Sequence, residues 1–242
     1  MTEKTKGIVL TAFPYNDRTT FVHIYTEQWG KQTFKVSLAK GRRSSVTRSM
    51  LAPLSLLDLV ADYNEKADIH RFSEAETVLS TYDITLTDVA KAAQCFYLAE
   101  LVDRTVREEE SNPRLWEFLV RGLQLLAMAQ EGQANFHLVF TARLSYLLGF
   151  RVNLESWQEG SWFDVKEGVF SPSPVSHAYY LAPESAAWLW RLLRTDFSEL
   201  DSLRLSREQR NILLDMMLAY LRIHMPEMGE MKSVDVLKEI FA

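Results

Sequence analysis

The sequence changes period near residue 80, and that change limits the folds open to it. Before it, short runs rich in β-branched and aromatic residues recur. They cover 7–13, where Ile8, Leu10 and Ala12 alternate onto one face, and then 19–26, 32–38, 56–63 and 69–75. Turn-forming sequences separate them at Pro14-Tyr-Asn-Asp17, Gln28-Trp-Gly30, Gly41 and Asn64-Glu-Lys-Ala-Asp68. Five short strands in so few residues suit a small closed or nearly closed barrel such as the OB-fold.

After Tyr82 the period is helical. Thr87 or Asp88 can cap a helix carrying Val89, Ala92, Ala93, Phe96, Ala99 and Val102 on its apolar face. Residues 113–129 form a second helix, with Pro113 in the tolerated first turn. In 134–148, Phe136, Val139, Phe140, Leu144, Leu147 and Leu148 share a face, and His137, Thr141 and Ser145 are expected to face away. Gly149 supplies the stop, with Phe150 packing back. Residues 151–182, holding Gly160, Gly168, Pro172 and Pro174, are expected to be irregular. Helices follow at 183–194, from the capping box Ser206-Arg-Glu-Gln209 to just before Pro226, and from a Ser233 cap to Phe241. The expected class is therefore α+β. A five-stranded OB-fold β-barrel over 1–80 precedes a mainly α-helical domain over 81–242 with an irregular insertion at about 151–182.

Charge is segregated along this chain. Its net charge is -5, yet no acid stands between Glu27 and Asp58, where Lys31, Lys35, Lys40, Arg42, Arg43 and Arg48 lie. Residues 4–48 carry nine Lys and Arg against Asp17 and Glu27. A basic stripe on an acidic protein suits a polyanion, because each phosphate contact releases condensed counterions; a solvated lysine-rich loop is the plainer alternative. These six cations are the candidate nucleic-acid-binding residues. Phe34, Tyr15 and Tyr63 join them as candidate base-stacking rings, provided that they face outward rather than fill the barrel.

Other chemistries find little support. Gly160 and Gly168 are the closest pair of glycines, which excludes G-x-G-x-x-G, G-x-x-x-x-G-K-[ST] and G-x-S-x-G signatures. His23, His70, His137, His177 and His224 are scattered without metal spacing. Glu108-Glu-Glu110 reads as a solvated helix end. Cys95 stands alone, so neither an intrachain disulfide nor a cysteine-built zinc site can form. No apolar run reaches the roughly 20 residues of a spanning helix, and no apolar leader opens the chain. A cytoplasmic protein without cofactor or metal is expected.

Several segments resemble the bacterial RecO family of recombination mediators. They are Gly7-Ile-Val-Leu10, Pro14-Tyr-Asn-Asp-Arg18, Tyr25-Thr-Glu-Gln-Trp-Gly-Lys31 and, most specifically, Leu38-Ala-Lys-Gly-Arg-Arg-Ser44. Leu51-Ala-Pro-Leu54, Glu74-Ala-Glu76, Tyr97-Leu-Ala-Glu-Leu-Val-Asp103, Leu147-Leu-Gly-Phe150 and Met231-Lys-Ser233 continue the likeness. The resemblance implies a non-enzymatic, nucleoid-associated protein of the RecF/RecO/RecR pathway. Such a protein binds single- and double-stranded DNA, anneals strands, and acts with RecR and the C-terminal tail of single-stranded DNA-binding protein to load RecA. Arg121, Arg143 and Arg151 are candidate cations for that tail. Many members carry a four-cysteine zinc site, whereas 153–176 here holds none; Trp157, Trp162, Phe163, Val169 and Phe170 are expected to serve as an apolar staple. An RNA-binding OB protein and a protein–protein adaptor remain the alternatives.

Overall fold

The computed structural model describes residues 2–38, 46–107, 109–129 and 133–241. Five N-terminal strands form one antiparallel sheet: β1 (Thr2–Asn16), β2 (Thr19–Thr26), β3 (Gly30–Ser37), β4 (Leu56–Asp62) and β5 (Arg71–Leu79), in the order β3-β2-β1-β4-β5. The long β1 pairs with β4 through 2–8 and with β2 through 7–16. One strand serves two partners this way only if the sheet curls. Gly7 sits at the overlap, where a Cβ would collide with Ile24 and Leu59. The sheet edges meet at a parallel Phe34–His70 bridge, with Lys35 N–H donating to His70 O and His70 N–H to Thr33 O, both at 2.9 Å. This curled sheet followed by helices is consistent with an OB-fold and then a helical domain.

Val9, Val22, Ile24, Phe34, Val36, Leu57, Leu59 and Phe72 fill the barrel. The simple alternation expected for β1 is broken there. A bulge between Val9 and Thr11 leaves Leu10 without a partner on β2. Val9 and Ala12 therefore face the barrel core, while Ile8 and Leu10 are buried outside it. The outer side of β1 is covered by α2 (Val89–Thr105), which follows the short α1 (Tyr82–Thr87). Asp88 caps α2, its carboxylate accepting from Lys91 N–H at 2.9 Å. Ala93, Ala99 and Val102 are buried as expected, but Val89 and Phe96, expected on the same face, are exposed; the helix buries Tyr97, Leu98 and Leu101 besides.

By compactness the chain forms two units, Met1–Ala127 with Met231–Ile240, and Met128–Glu230 with Phe241–Ala242. The first contains the barrel, α1, α2, nearly all of α3 (Pro113–Met128) and α7 (Ser233–Ile240). Ser233 is the first residue of α7, and the Glu100 carboxylate on α2 accepts from Ser233 N–H at 2.8 Å, Ser233 Oγ at 2.6 Å and Lys232 N–H at 3.1 Å.

The second unit contains α4 (Phe136–Leu147), α5 (Pro183–Arg194) and α6 (Arg207–His224). Because α5 and α6 both pack on α4, most of α4 is covered, with Tyr146 near its C-terminal end left exposed. His137, Thr141 and Ser145, expected to face away, are buried. Their polar atoms turn inward: Thr141 Oγ1 donates to His137 O at 2.7 Å, and Ser145 Oγ to Phe150 O at 2.9 Å. Gly149 takes φ +91° beyond the helix end, letting Phe150 N–H return to Ser145 O. Residues 151–182 are more regular than expected, because β6 (Trp162–Asp164), β7 (Val169–Ser171) and β8 (Tyr180–Leu181) form a small sheet. Trp157 packs on Phe170 and Trp190, and Phe163 on Phe170, with centroids 5.0–5.3 Å apart. Asp164 holds the β6–β7 turn by accepting from Lys166 and Glu167 N–H groups.

Candidate nucleic-acid interface

Alternation along β3 determines which cations can meet a ligand. Gln32, Phe34 and Val36 are buried in the barrel direction, so Lys31, Thr33 and Lys35 stand on the outer face. The two lysines differ in what they touch. Lys31 Nζ lies 3.4 Å from Asp103 Oδ1 and also donates to the Asp103 backbone carbonyl. Among the described residues, Lys35 has no ion-pair partner. Arg48 is exposed, and its carbonyl accepts from Leu51 N–H in the turn after the basic segment. Lys40, Arg42 and Arg43 lie outside the described residues. Lys35 and Arg48 thus bracket them at either end.

Asp103, on α2, is a hub that sequence reading did not single out. Its Oδ1 accepts from His23 Nδ1 at 2.8 Å, and its Oδ2 from Thr11 Oγ1 at 3.0 Å. Burial alone would raise its pKa, but His23, Lys31 and Thr11 outweigh burial and hold the carboxyl below the ordinary carboxylate range. Lys31 is thereby part of the seam that fastens the barrel to α2. Three residues 92, 80 and 72 positions away in sequence gave no local signal of this.

The candidate stacking rings divide as well. Phe34 is fully buried, so it is core rather than surface. Tyr63 lies flat on Trp29, at 4.3 Å between centroids and 2° between planes, and packs on the barrel core. Tyr15 is 70% exposed. Two rings that sequence reading missed accompany it: Phe13, exposed, and Phe21, half-buried, lie opposite each other on β1 and β2.

Nothing in the described residues favours metal or thiol chemistry. No group of three or more His, Cys, Asp or Glu side chains converges there. Cys95 is buried, and burial pushes its thiol up to about 12, so it stays protonated.

Both parts of the chain match family models. Residues 1–81 match the N-terminal region of recombination protein O, and residues 86–233 match its C-terminal region. The chain belongs to the RecO family. Proteins named DNA repair protein RecO from Phocaeicola vulgatus and Bacteroides fragilis are each 35% identical over 242 residues, covering all of both chains. A RecO from Porphyromonas gingivalis is 28% identical over 243 residues, covering 98% of each. The two RecO regions meet where the strand period gives way to the helical one. The chain's single cysteine is consistent with a RecO lacking the zinc-binding set.

Proposed function

We propose that this member of the RecO family of DNA repair proteins is a non-enzymatic mediator. It binds single- and double-stranded DNA, anneals complementary strands, and helps load RecA on DNA coated by single-stranded DNA-binding protein. The observation that carries this is the run of cations from the outer face of β3 to Arg48, with no acid between Glu27 and Asp58. Lys35 and Arg48 are open to a ligand at the two ends of that run, and Lys40, Arg42 and Arg43 lie between them. Such a set follows a phosphate backbone without reading base sequence.

The protein partners are part of the same proposal. RecR is expected to dock on the barrel. For the tail of single-stranded DNA-binding protein, support comes from the second unit, where a cavity of about 60 Å³ is lined by Arg143, Tyr146, Phe150, Phe163, Leu189 and Tyr220. An acidic tail with an apolar end needs such a lining with cations beside it. Arg151 lies over the Tyr146 ring at 4.4 Å, and Arg143 pairs with Asp196 at 3.0 Å. The expected location is the cytoplasm, at the nucleoid. No described helix is long and apolar enough to cross a membrane.

The test is a titration of labelled single-stranded and duplex DNA at several salt concentrations, with the wild type and a Lys40→Ala/Arg42→Ala/Arg43→Ala variant. The variant should bind both polymers more weakly, with the log–log salt slope reduced by about 0.7–0.9 for each cation that no longer meets a phosphate. Unchanged affinity and slope in a folded variant would remove the basic segment from the interface.

A further inference from the structure

The outer face of β1–β2–β3 carries aromatic rings that the barrel core does not use. Phe13, Phe21 and Lys35 lie in register across the three strands, so they stand in one row on one face at about 4.8 Å per strand. A second bulge, between Pro14 and Asn16, leaves Tyr15 unpaired beside this row. Tyr15 meets Phe21 edge-to-face at 5.5 Å and 81°, and Phe13 meets His23 at 5.1 Å and 69°. Phe13 is nonetheless 46% exposed and Tyr15 70% exposed. Each ring is oriented by a neighbouring ring while much of its own surface stays in water.

Charge at both ends of the group indicates the occupant. Lys35 closes the row on β3, and Arg18 is exposed in the Asp17–Arg18 turn between β1 and β2. Open π-faces flanked by cations match a strand of nucleobases joined by phosphates. In a duplex the base faces are covered by neighbouring pairs, so only unpaired bases can use these rings. We infer that Phe13 and Tyr15 form a stacking platform for unpaired bases of single-stranded DNA, with Lys35 and Arg18 on the flanking phosphates. The inference rests on the DNA-binding reading above and divides its labour. The basic segment holds phosphates of either polymer, and the platform gives the preference for single strands.

The experiment uses the full chain with Phe13→Leu and Tyr15→Leu, which keep apolar bulk but remove the π-face, and Phe13→Tyr and Tyr15→Phe, which retain it. Each is titrated with a labelled thymidine homopolymer and with a duplex of the same length, at several salt concentrations. The Leu variants should lose roughly 5- to 150-fold in single-strand affinity per ring. Duplex affinity should stay within about twofold and the salt slope should hold, because every cation is retained. The aromatic variants should bind as the wild type does. Leu variants that bind the homopolymer normally, or that lose both polymers equally, overturn the platform while leaving the DNA-binding reading in place. A wild type with no salt-sensitive DNA binding overturns both.

Discussion

Replacing Asp103 with Asn tests the seam between barrel and α2. The substitution keeps the shape of the side chain and an acceptor for Thr11, but removes the charge that faces His23 and Lys31. Asp103 and Lys31 side chains are 13% and 21% exposed. Exposed ion pairs are worth about 0–1 kcal/mol, and breaking a fully buried pair costs about 3–5 kcal/mol. This pair lies between those limits, and the Lys31 hydrogen bond to the Asp103 backbone carbonyl survives the change, so a loss of about 2 kcal/mol is expected. Lys31→Met removes the same pair from the other side. Denaturation midpoints of the wild type, both single variants and the double variant should give a coupling of about 1 kcal/mol or more. The Asp103 carboxyl is held below its unfolded value, so its stabilisation is present above the ordinary carboxylate pKa of about 3.9 and is lost as pH falls through the folded value. The stability curves of wild type and Asp103→Asn should therefore converge on acidification. Single effects that add within about 0.3 kcal/mol, or curves that stay parallel to low pH, would refute the ion-pair account.

The same geometry separates two lysines that look alike in the sequence: Lys35→Ala should lower the salt slope of DNA binding by about 0.7–0.9, and Lys31→Met should leave it nearly unchanged. Equal slope losses would show that Lys31 leaves Asp103 for phosphate. Glu100→Ala should destabilise the chain by about 1–2 kcal/mol and speed amide exchange in the first turn of α7, because it strips the acceptor from Ser233 and Lys232; unchanged exchange there would count against this cap. Burial, aided by Arg210, pushes His137 down to about 3, so the unfolded chain binds a proton below about pH 6.5 that the folded chain refuses. Stability should fall with acid through that window by at most about 1.4 kcal/mol per pH unit from this group, and His137→Leu should flatten that part of the profile in a pH series of melts.

The candidate interface draws on both kinds of information. A charge run without acids is a property of sequence, since the residues concerned are neighbours in the chain. Which of its members can meet a phosphate is a property of pairing. Lys31 and Lys35 are four apart on one face of β3, and only the arrival of α2 beside the barrel commits the first and spares the second. Phe34 and Tyr15 were equivalent as candidates, and strand register separated them, placing one in the core and the other in water.

Local signals alone determined the succession of five strands and then helices, a cap at Thr87 or Asp88 that Asp88 supplies, the Ser206 cap, and the Gly149 stop. Each is decided by dihedral preference, hydrogen bonding or periodicity within a few residues. Tertiary structure decided what depends on distant partners. Residues 2–6 become strand because β4 pairs with them. The Leu10 bulge sends Ile8 and Leu10 to the outer side of the barrel, and α4 turns His137 and Thr141 inward because α5 and α6 cover it. Glu100 caps a helix 133 residues away, and Asp103 gathers His23, Lys31 and Thr11. Periodicity reports that a residue has an apolar or polar side. It does not report how many sides will be covered, because that is set by elements whose distance in sequence carries no local trace.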